Sequence, residues 1–214
     1  MNTKINSRHP LLETLQIEII SNINSCFELW QEFSPRKTLF DVWEFRLAFY
    51  EAYKHKPYFL LLKNQSEQLA LLPLWYEDDK MRYSWFGGDW QEEVTFFTKH
   101  PKYVPFLLSS APSPLVLNAI SQDSAGPLKR KIRLEVDEAK YVLPLDEFKD
   151  HKDYLMTIKK KTRQNLRRNT RRIETRKPMI IIDNFSDIEH LIRLSKERFK
   201  QKNEETDWED PRRA

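Results

Sequence analysis

Glycine is nearly missing from this 214-residue chain: Gly87, Gly88 and Gly126 are all it has, against about 15 at average usage. Phosphate-cradling loops need glycine where backbone amides close on a ligand, and neither G-x-G-x-x-G nor G-x-x-x-x-G-K-S/T occurs. Nucleotide binding by those two routes is therefore excluded for this stretch of chain. A single cysteine, Cys26, excludes an internal disulfide and fits a reducing compartment, so a cytoplasmic location is expected. Cys26 has no histidine near it in sequence and reads as a small buried apolar residue rather than a nucleophile. No apolar run approaches the roughly 20 residues of a membrane span, so none is expected. Met1–Pro10 is polar and lacks the apolar core of a secretory signal. The histidines (His9, His55, His100, His151 and His190) are scattered, with no pair at metal-ligand spacing, and no metal is expected.

Aromatics are plentiful, at 13% of residues within a hydrophobic share of 40%. That suffices for a packed core and argues against global disorder. Charge is uneven. Residues 1–148 sum to −3 and residues 149–214 to +7. The excess lies in Lys159–Lys177, where ten basic residues meet one acidic residue, Glu174. This is a local basic stretch on an otherwise mildly acidic chain.

Periodicity predicts the elements. Leu15–Ile20 is short and β-branched and reads as a strand. Asn24–Phe33 reads as a helix ended by Ser34-Pro35. Asp41-Val-Trp-Glu44 has capping-box spacing and opens an amphipathic helix over Asp41–Lys54. Three apolar runs, Tyr58–Leu62, Leu69–Tyr76 and Met81–Phe86, are joined by polar turns and predict an antiparallel meander. Pro73 within the second run predicts a bulge or an edge there. Pro101–Ser110 reads as a helix, Leu115–Ala119, Ile132–Val136 and Tyr141–Leu145 as strands, and Gln122–Lys131 as a loop. Asp146–Lys177 carries apolar residues at steps of three and four and predicts one long basic helix stopped by Pro178. Met179–Asp183 predicts a strand and Ser186–Lys200 a helix capped by Ser186. Gln201–Ala214 is polar. One strand and two helices cannot bury an apolar sheet face alone, so the second unit is expected to be unfinished.

The order and spacing of these motifs resembles a known family. The relevant stretches are Leu39-Phe40-Asp-Val-Trp43-Glu, Tyr58-Phe-Leu-Leu-Leu62, Leu69-Ala-Leu-Leu-Pro73-Leu74 and Trp85-Phe86-Gly87-Gly88. They are followed by Tyr141-Val-Leu-Pro144-Leu, Asp153-Tyr-Leu-Met-Thr-Ile158 and Lys159-Lys-Lys-Thr-Arg163-Gln-Asn165-Leu166-Arg167-Arg168. Together they resemble the CelD/BcsL-like acyltransferases of the GNAT superfamily, a group related to the FemAB-type aminoacyl transferases. The resemblance runs from about Leu15 to Lys200. It implies an α/β (α+β) fold with two GNAT-like halves: residues 1–148 as the first, and 149–214 as a linking basic helix with the opening strand and helix of the second. It also implies acyl-CoA, such as acetyl-CoA, as the cosubstrate of the full-length protein, and a small-molecule amine as acceptor. The glycine-containing Q/R-x-x-G-x-G/A loop of ordinary GNATs is not present. This chain alone is therefore expected neither to bind acyl-CoA nor to turn it over.

Candidate site residues fall in two places. In the basic segment, Lys161, Arg163, Asn165, Arg167 and Arg168 have three readings: a solvated linker helix, an anion-holding face, or a nucleic-acid-binding helix. The second suits arginine through bidentate contacts. The third suits the charge density, with tRNA the partner if the FemAB-like branch applies, but no aromatic is interleaved to stack on bases. The other place is Gly87-Gly88-Asp89-Trp90, which follows a predicted strand and reads either as a plain tight turn or as a ligand-approach loop. There Asp89, Glu92 and Glu93 read as surface carboxylates or as general bases. No residue is assigned to catalysis. Trp43, Trp75, Trp85 and Trp90 are expected to pack in the core.

Overall fold

The computed structural model describes residues 15–65, 67–128, 134–135, 141–179, 181–182, 185–210 and 212. The chain divides into two compact units, Met1–Asp137 and Glu138–Ala214. Among the described residues it is an α+β protein, with seven α-helices and one open five-stranded sheet.

The first unit is built on that sheet. Its strands are β1 (Gln16–Ile20), β2 (Lys56–Lys63), β3 (Gln68–Glu77), β4 (Arg82–Trp85) and β5 (Phe97–Thr98). The order is β1-β2-β3-β4, every pair is antiparallel, and β5 pairs with β3. The meander expected from the three apolar runs is therefore present as β2, β3 and β4. The runs are continuous rather than alternating because both sheet faces are covered. Phe59, Leu61, Leu71 and Trp75 face one core with Cys26, Trp30, Trp43 and Phe86. Leu60, Leu62, Leu72 and Leu74 face the other with Trp85, Val94, Val104 and Leu107.

The first core is closed by two helices, α1 (Ile23–Phe33) and α2 (Trp43–Tyr53). Asn22 caps α1 through its side chain, which accepts from the amides of Asn24 and Ser25. Pro35 holds Ser34 extended and ends the helix. The expected start of the second helix at Asp41 is wrong. Leu39–Asp41 is a 3-10 turn, and α2 begins two residues later. The Asp41 carboxylate reaches backward, accepting from the amides of Lys37 (2.9 Å) and Thr38 (3.0 Å). The second core is closed by α3 (Val104–Ser110) and by chain that follows it.

Pro73 produces no bulge. The ladder irregularity is at Leu62/Lys63 instead. On its outer edge β3 pairs with β5 at Ala70 and Leu71 and with β4 from Leu74 onward. Pro73 lies in the gap between them, and its carbonyl accepts from the Phe86 amide on that side (2.9 Å). A missing N–H is tolerated there because no ladder bond calls for it. Leu115–Ala119 is likewise not a strand, and contributes an isolated parallel bridge, Tyr83 to Leu115. Gln122–Ala125 forms a short helix, α4, where a loop was expected. Most of Ile132–Val136 lies outside the described residues.

The second unit differs in kind. Its helices are α5 (His151–Thr157), α6 (Lys160–Glu174) and α7 (Ile188–Lys202). The single helix expected over Asp146–Lys177 is broken, because Ile158 and Lys159 adopt extended backbone. The break leaves α5 carbonyls without helical partners, and Arg163 bonds them: its Nη1 donates to the carbonyls of Leu155 (3.1 Å) and Met156 (3.4 Å). Tyr141–Leu145 is not a strand: residues 141–144 have no regular structure and Leu145 opens a 3-10 turn. Met179, Ile181 and Ile182 are not in a strand either, and Ile180 and Asp183 lie outside the described residues. Asp187, not Ser186, occupies the N-cap of α7. From Tyr141 onward Leu155 is the one buried apolar side chain among the described residues. Tyr141, Met179, Ile182 and Phe185 are 76–96% exposed.

This contrast is measurable. Leu72→Ala, in a fully buried position, is expected to cost about 2–5 kcal/mol in chemical denaturation. Leu166→Ala, in α6 and 45% exposed, is expected to change stability by less than about 0.5 kcal/mol. A large loss from Leu166→Ala contradicts the exposed placement of α6.

Candidate functional site

Two of the sequence-marked groups are well placed by the fold, and they are of different character. The first is the turn after β4. Gly87 (φ +93°) and Gly88 (φ +78°) both have left-handed backbone, which other residues adopt at a cost. Space is short as well. A Cβ on Gly87 would lie 2.8 Å from Cδ of Arg46, and one on Gly88 3.1 Å from Trp75. The turn therefore closes over Arg46, which sequence reasoning passed by as one more residue of an amphipathic helix.

Arg46 is 2% exposed. Its Nε donates to the carbonyl of Phe40 (2.6 Å) and its Nη1 to that of Phe86 (3.0 Å), and the guanidinium carbon sits 5.6 Å from the Trp30 ring centre. Burial pushes its pKa down to about 9, opposed by the charge of Asp41. The group is therefore still protonated at neutral pH. Gln91, 4% exposed, lies beside this turn, and neither polar atom of its amide has a hydrogen-bond partner.

Asp89 completes the turn. Its carboxylate is paired with Lys80 (3.1 Å) and with Arg82. The same two cations hold Glu77, which is 2% exposed and takes Arg82 Nε at 2.7 Å and Lys80 Nζ at 3.3 Å. Ser84 Oγ donates to Glu77 Oε1 (2.8 Å) and accepts from Trp75 Nε1 (2.8 Å). Burial pushes the Glu77 carboxyl up, but the hydrogen bonds from Arg82 and Ser84 and the charges of Lys80 and Arg82 outweigh it, and its pKa is lowered. Two carboxylates and two cations thus tie the hairpin end to the glycine turn. Glu77 and Arg82 are directly opposed across the β3–β4 ladder, a cross-strand signal that the sequence contained.

The second group is α6. Lys161, Asn165, Arg167 and Arg168 are exposed, and no residue of the helix is buried. Seven of its fifteen residues are cationic, with Glu174 the single carboxylate. Among the described residues no carboxylate lies within ion-pair distance of these cations. Arg163 is committed to the α5 carbonyls, so the other six cations face solvent. The glycine turn belongs to the first unit and α6 to the second.

The remaining sites are quieter. Burial pushes the Cys26 thiol up to about 12, which keeps it protonated and unreactive. No group of three or more His, Cys, Asp or Glu side chains among the described residues is placed to hold a metal. No helix among them is long and apolar enough to cross a membrane. An open depression of about 770 Å³ lies along α7, walled by five glutamates and three cations, and contains none of the residues marked from sequence. Trp43, Trp75 and Trp85 are buried as expected, while Trp90 is 39% exposed and stacks on Phe49 at 6.0 Å.

Two outcomes test the turn. Gly87→Ala is expected to destabilise the first unit by about 2–4 kcal/mol from backbone strain and the clash with Arg46. In an Arg46→Ala background the same change should cost only the strain, about 1–2 kcal/mol; strict additivity contradicts the contact. Glu77 has a depressed folded pKa, so its contribution is fully present above the ordinary carboxyl value of 4.5 and is lost as pH falls through the folded value. Glu77→Gln is expected to lower stability by about 2–3 kcal/mol at pH 7 and to flatten the fall in Tm below pH 4.5. An unchanged acid slope rules out Glu77 as its source.

Comparison of the chain with protein-family models, with curated proteins and with solved structures finds no match to any of them.

Proposed function

We propose that this chain is the N-terminal portion of a GNAT-type N-acyltransferase of the CelD/BcsL-like kind, with α6 as its anion-holding element. The reaction moves an acyl group from an acyl-CoA to an amine, such as an amino sugar or another cell-envelope precursor. The amine nitrogen attacks the thioester carbonyl carbon and passes a proton to a base or ordered water, the tetrahedral oxyanion collapses with loss of the CoA thiolate, and that proton ends on the thiolate or in solvent. The observation that carries the reading is the row of unpaired cations on α6, which suits the phosphates of a CoA ester or an acidic acceptor. The largely antiparallel sheet with helices on both faces is compatible with a GNAT-like half, and the motifs Tyr58–Leu62 and Leu69–Leu74 lie in β2 and β3.

The two best-held carboxylates are not assigned as the base. Glu77 and Asp89 are both occupied by Lys80 and Arg82, and proton abstraction from an amine needs a free lone pair within reach. The exposed cations of α6, rather than a glycine loop, are the proposed phosphate-holding groups, which revises the sequence expectation that this chain does not bind acyl-CoA; no turnover is expected of it.

Titration with acetyl-CoA, followed calorimetrically at 50 mM salt, is the test. Saturable binding is expected, and Arg167→Gln with Arg168→Gln should weaken it about 10- to 100-fold through two lost charge-assisted contacts. Binding that is absent, or untouched by that pair of changes, removes the reading. Acetyl-CoA turnover by this chain contradicts the binding-only role.

A further inference from the structure

None of the fifteen residues of α6 is buried, and even its apolar positions Leu166 and Ile173 are 45% and 56% exposed. Apart from Arg163, which bonds α5, the charge on it is open to solvent and arranged in a definite way. At about 100° per residue, Lys160, Arg167 and Arg171 form one row and Lys161, Arg168 and Arg172 a second. Together these six span about 140° of the circumference, with Gln164 between the rows. Asn165 and Asn169 lie just beyond the second row.

The rows also strain the helix that carries them. Arg167/Arg171 and Arg168/Arg172 are like-charge pairs four residues apart, each destabilising by a few tenths of a kcal/mol. No carboxylate among the described residues relieves them. A free fifteen-residue helix is marginal in water even without such repulsion. A polyanion that neutralises both rows removes this penalty, whereas a single phosphate relieves only part of it.

We propose that α6 is a groove-binding helix for double-stranded DNA. An α-helix with its side chains is about 10–12 Å across, and the major groove of B-form DNA is about 12 Å wide. Two cationic rows on either side of Gln164 match the two phosphate walls of that groove. The carboxamide of Gln164 then faces the base edges, where glutamine pairs with adenine in bidentate fashion. The absence of any aromatic residue on α6 disfavours single strands, which proteins hold by stacking. The deep, narrow major groove of A-form RNA does not admit such a helix. The inference rests on the reading of α6 as the anion-holding element, and not on acyl transfer.

Fluorescence anisotropy of a labelled 20-base-pair DNA duplex, titrated with the full chain between 50 and 200 mM salt, tests it. Six cations free to meet phosphates give an expected log–log salt slope of about −5 and a loss of roughly 10³-fold in affinity across that range. Arg167→Gln, Arg168→Gln and Arg171→Gln combined should reduce the slope by about three. The corresponding Arg→Lys triple variant should keep it. Circular dichroism of the chain should gain helical signal when duplex is added. Unchanged cooperative unfolding of the first unit keeps the Gln variant interpretable. No binding at 50 mM salt, a flat salt response, or equal affinity for A-form RNA, a single strand or polyglutamate overturns the proposal. Duplex binding without acetyl-CoA binding retains this inference and removes the acyl-CoA reading alone.

Discussion

Burying a guanidinium is tolerable only when its donors are satisfied, and in the first unit that requirement fixes several elements at once. Arg46 on α2 needs two carbonyls. One comes from Phe40, ahead of α2, and the other from Phe86, at the end of β4. The Phe40 carbonyl is presented by the 3-10 turn that the Asp41 carboxylate holds by reaching back to two amides. The Asp41 carbonyl in turn accepts from Trp30 Nε1 (2.8 Å) and Ser34 Oγ (2.7 Å), which fixes α1. On the far side the chain must turn away directly after Phe86, and only glycine permits that turn over Arg46 Cδ. A chain with three glycines has two of them here, Gly87 against Arg46 and Gly88 against Trp75, both in left-handed backbone.

This also explains which parts of the fold were visible in the sequence. The strands β2 and β3 announce themselves because both of their faces are buried, so Tyr58–Leu62 and Leu69–Tyr76 are apolar throughout. The helix α1 was legible from the spacing of Phe27 and Trp30 and from the Ser34-Pro35 stop. The role of Asp41 was not legible: Asp-x-x-Glu spacing fits a capping box, and a carboxylate reaching backward looks the same in one dimension. Arg46 was hidden for a related reason, since an arginine on an amphipathic helix is ordinarily solvated and only the tertiary structure shows it buried. Tyr141–Leu145 and the described residues of Met179–Asp183 (Met179, Ile181 and Ile182) show the opposite failure. Their β propensity is real, but a strand exists only when a neighbour supplies a ladder, and no such neighbour is described beside them.

Of the candidate sites, α6 was legible as a basic helix, but its break from α5 was not. Helical periodicity continues through Ile158 and Lys159, and nothing in the pattern marks the interruption. What stabilises the break is a long-range choice by one side chain: Arg163 leaves the cationic face to bond the Leu155 and Met156 carbonyls. The glycine turn was legible as a turn, and Asp89 as a carboxylate beside it. That Asp89 and Glu77 share Lys80 and Arg82 emerges only from the β3–β4 register.

The two units therefore handle charge in opposite ways. In the first, Asp41, Glu77 and Arg46 are all at most 3% exposed, and each is met by amides, carbonyls or opposite charges, so charge there fixes geometry. In the second, six cations of α6 are left to solvent and repel one another. A surface ion pair contributes little to stability, so selection for stability alone gives weak reason either to pair these cations or to accumulate them. Accumulating them without partners carries a small, repeated penalty along one helix. In the proposed complex, an anion from outside the described chain would convert that penalty into binding energy, and its phosphate spacing, more than any single contact, would determine how many of the six cations it satisfies.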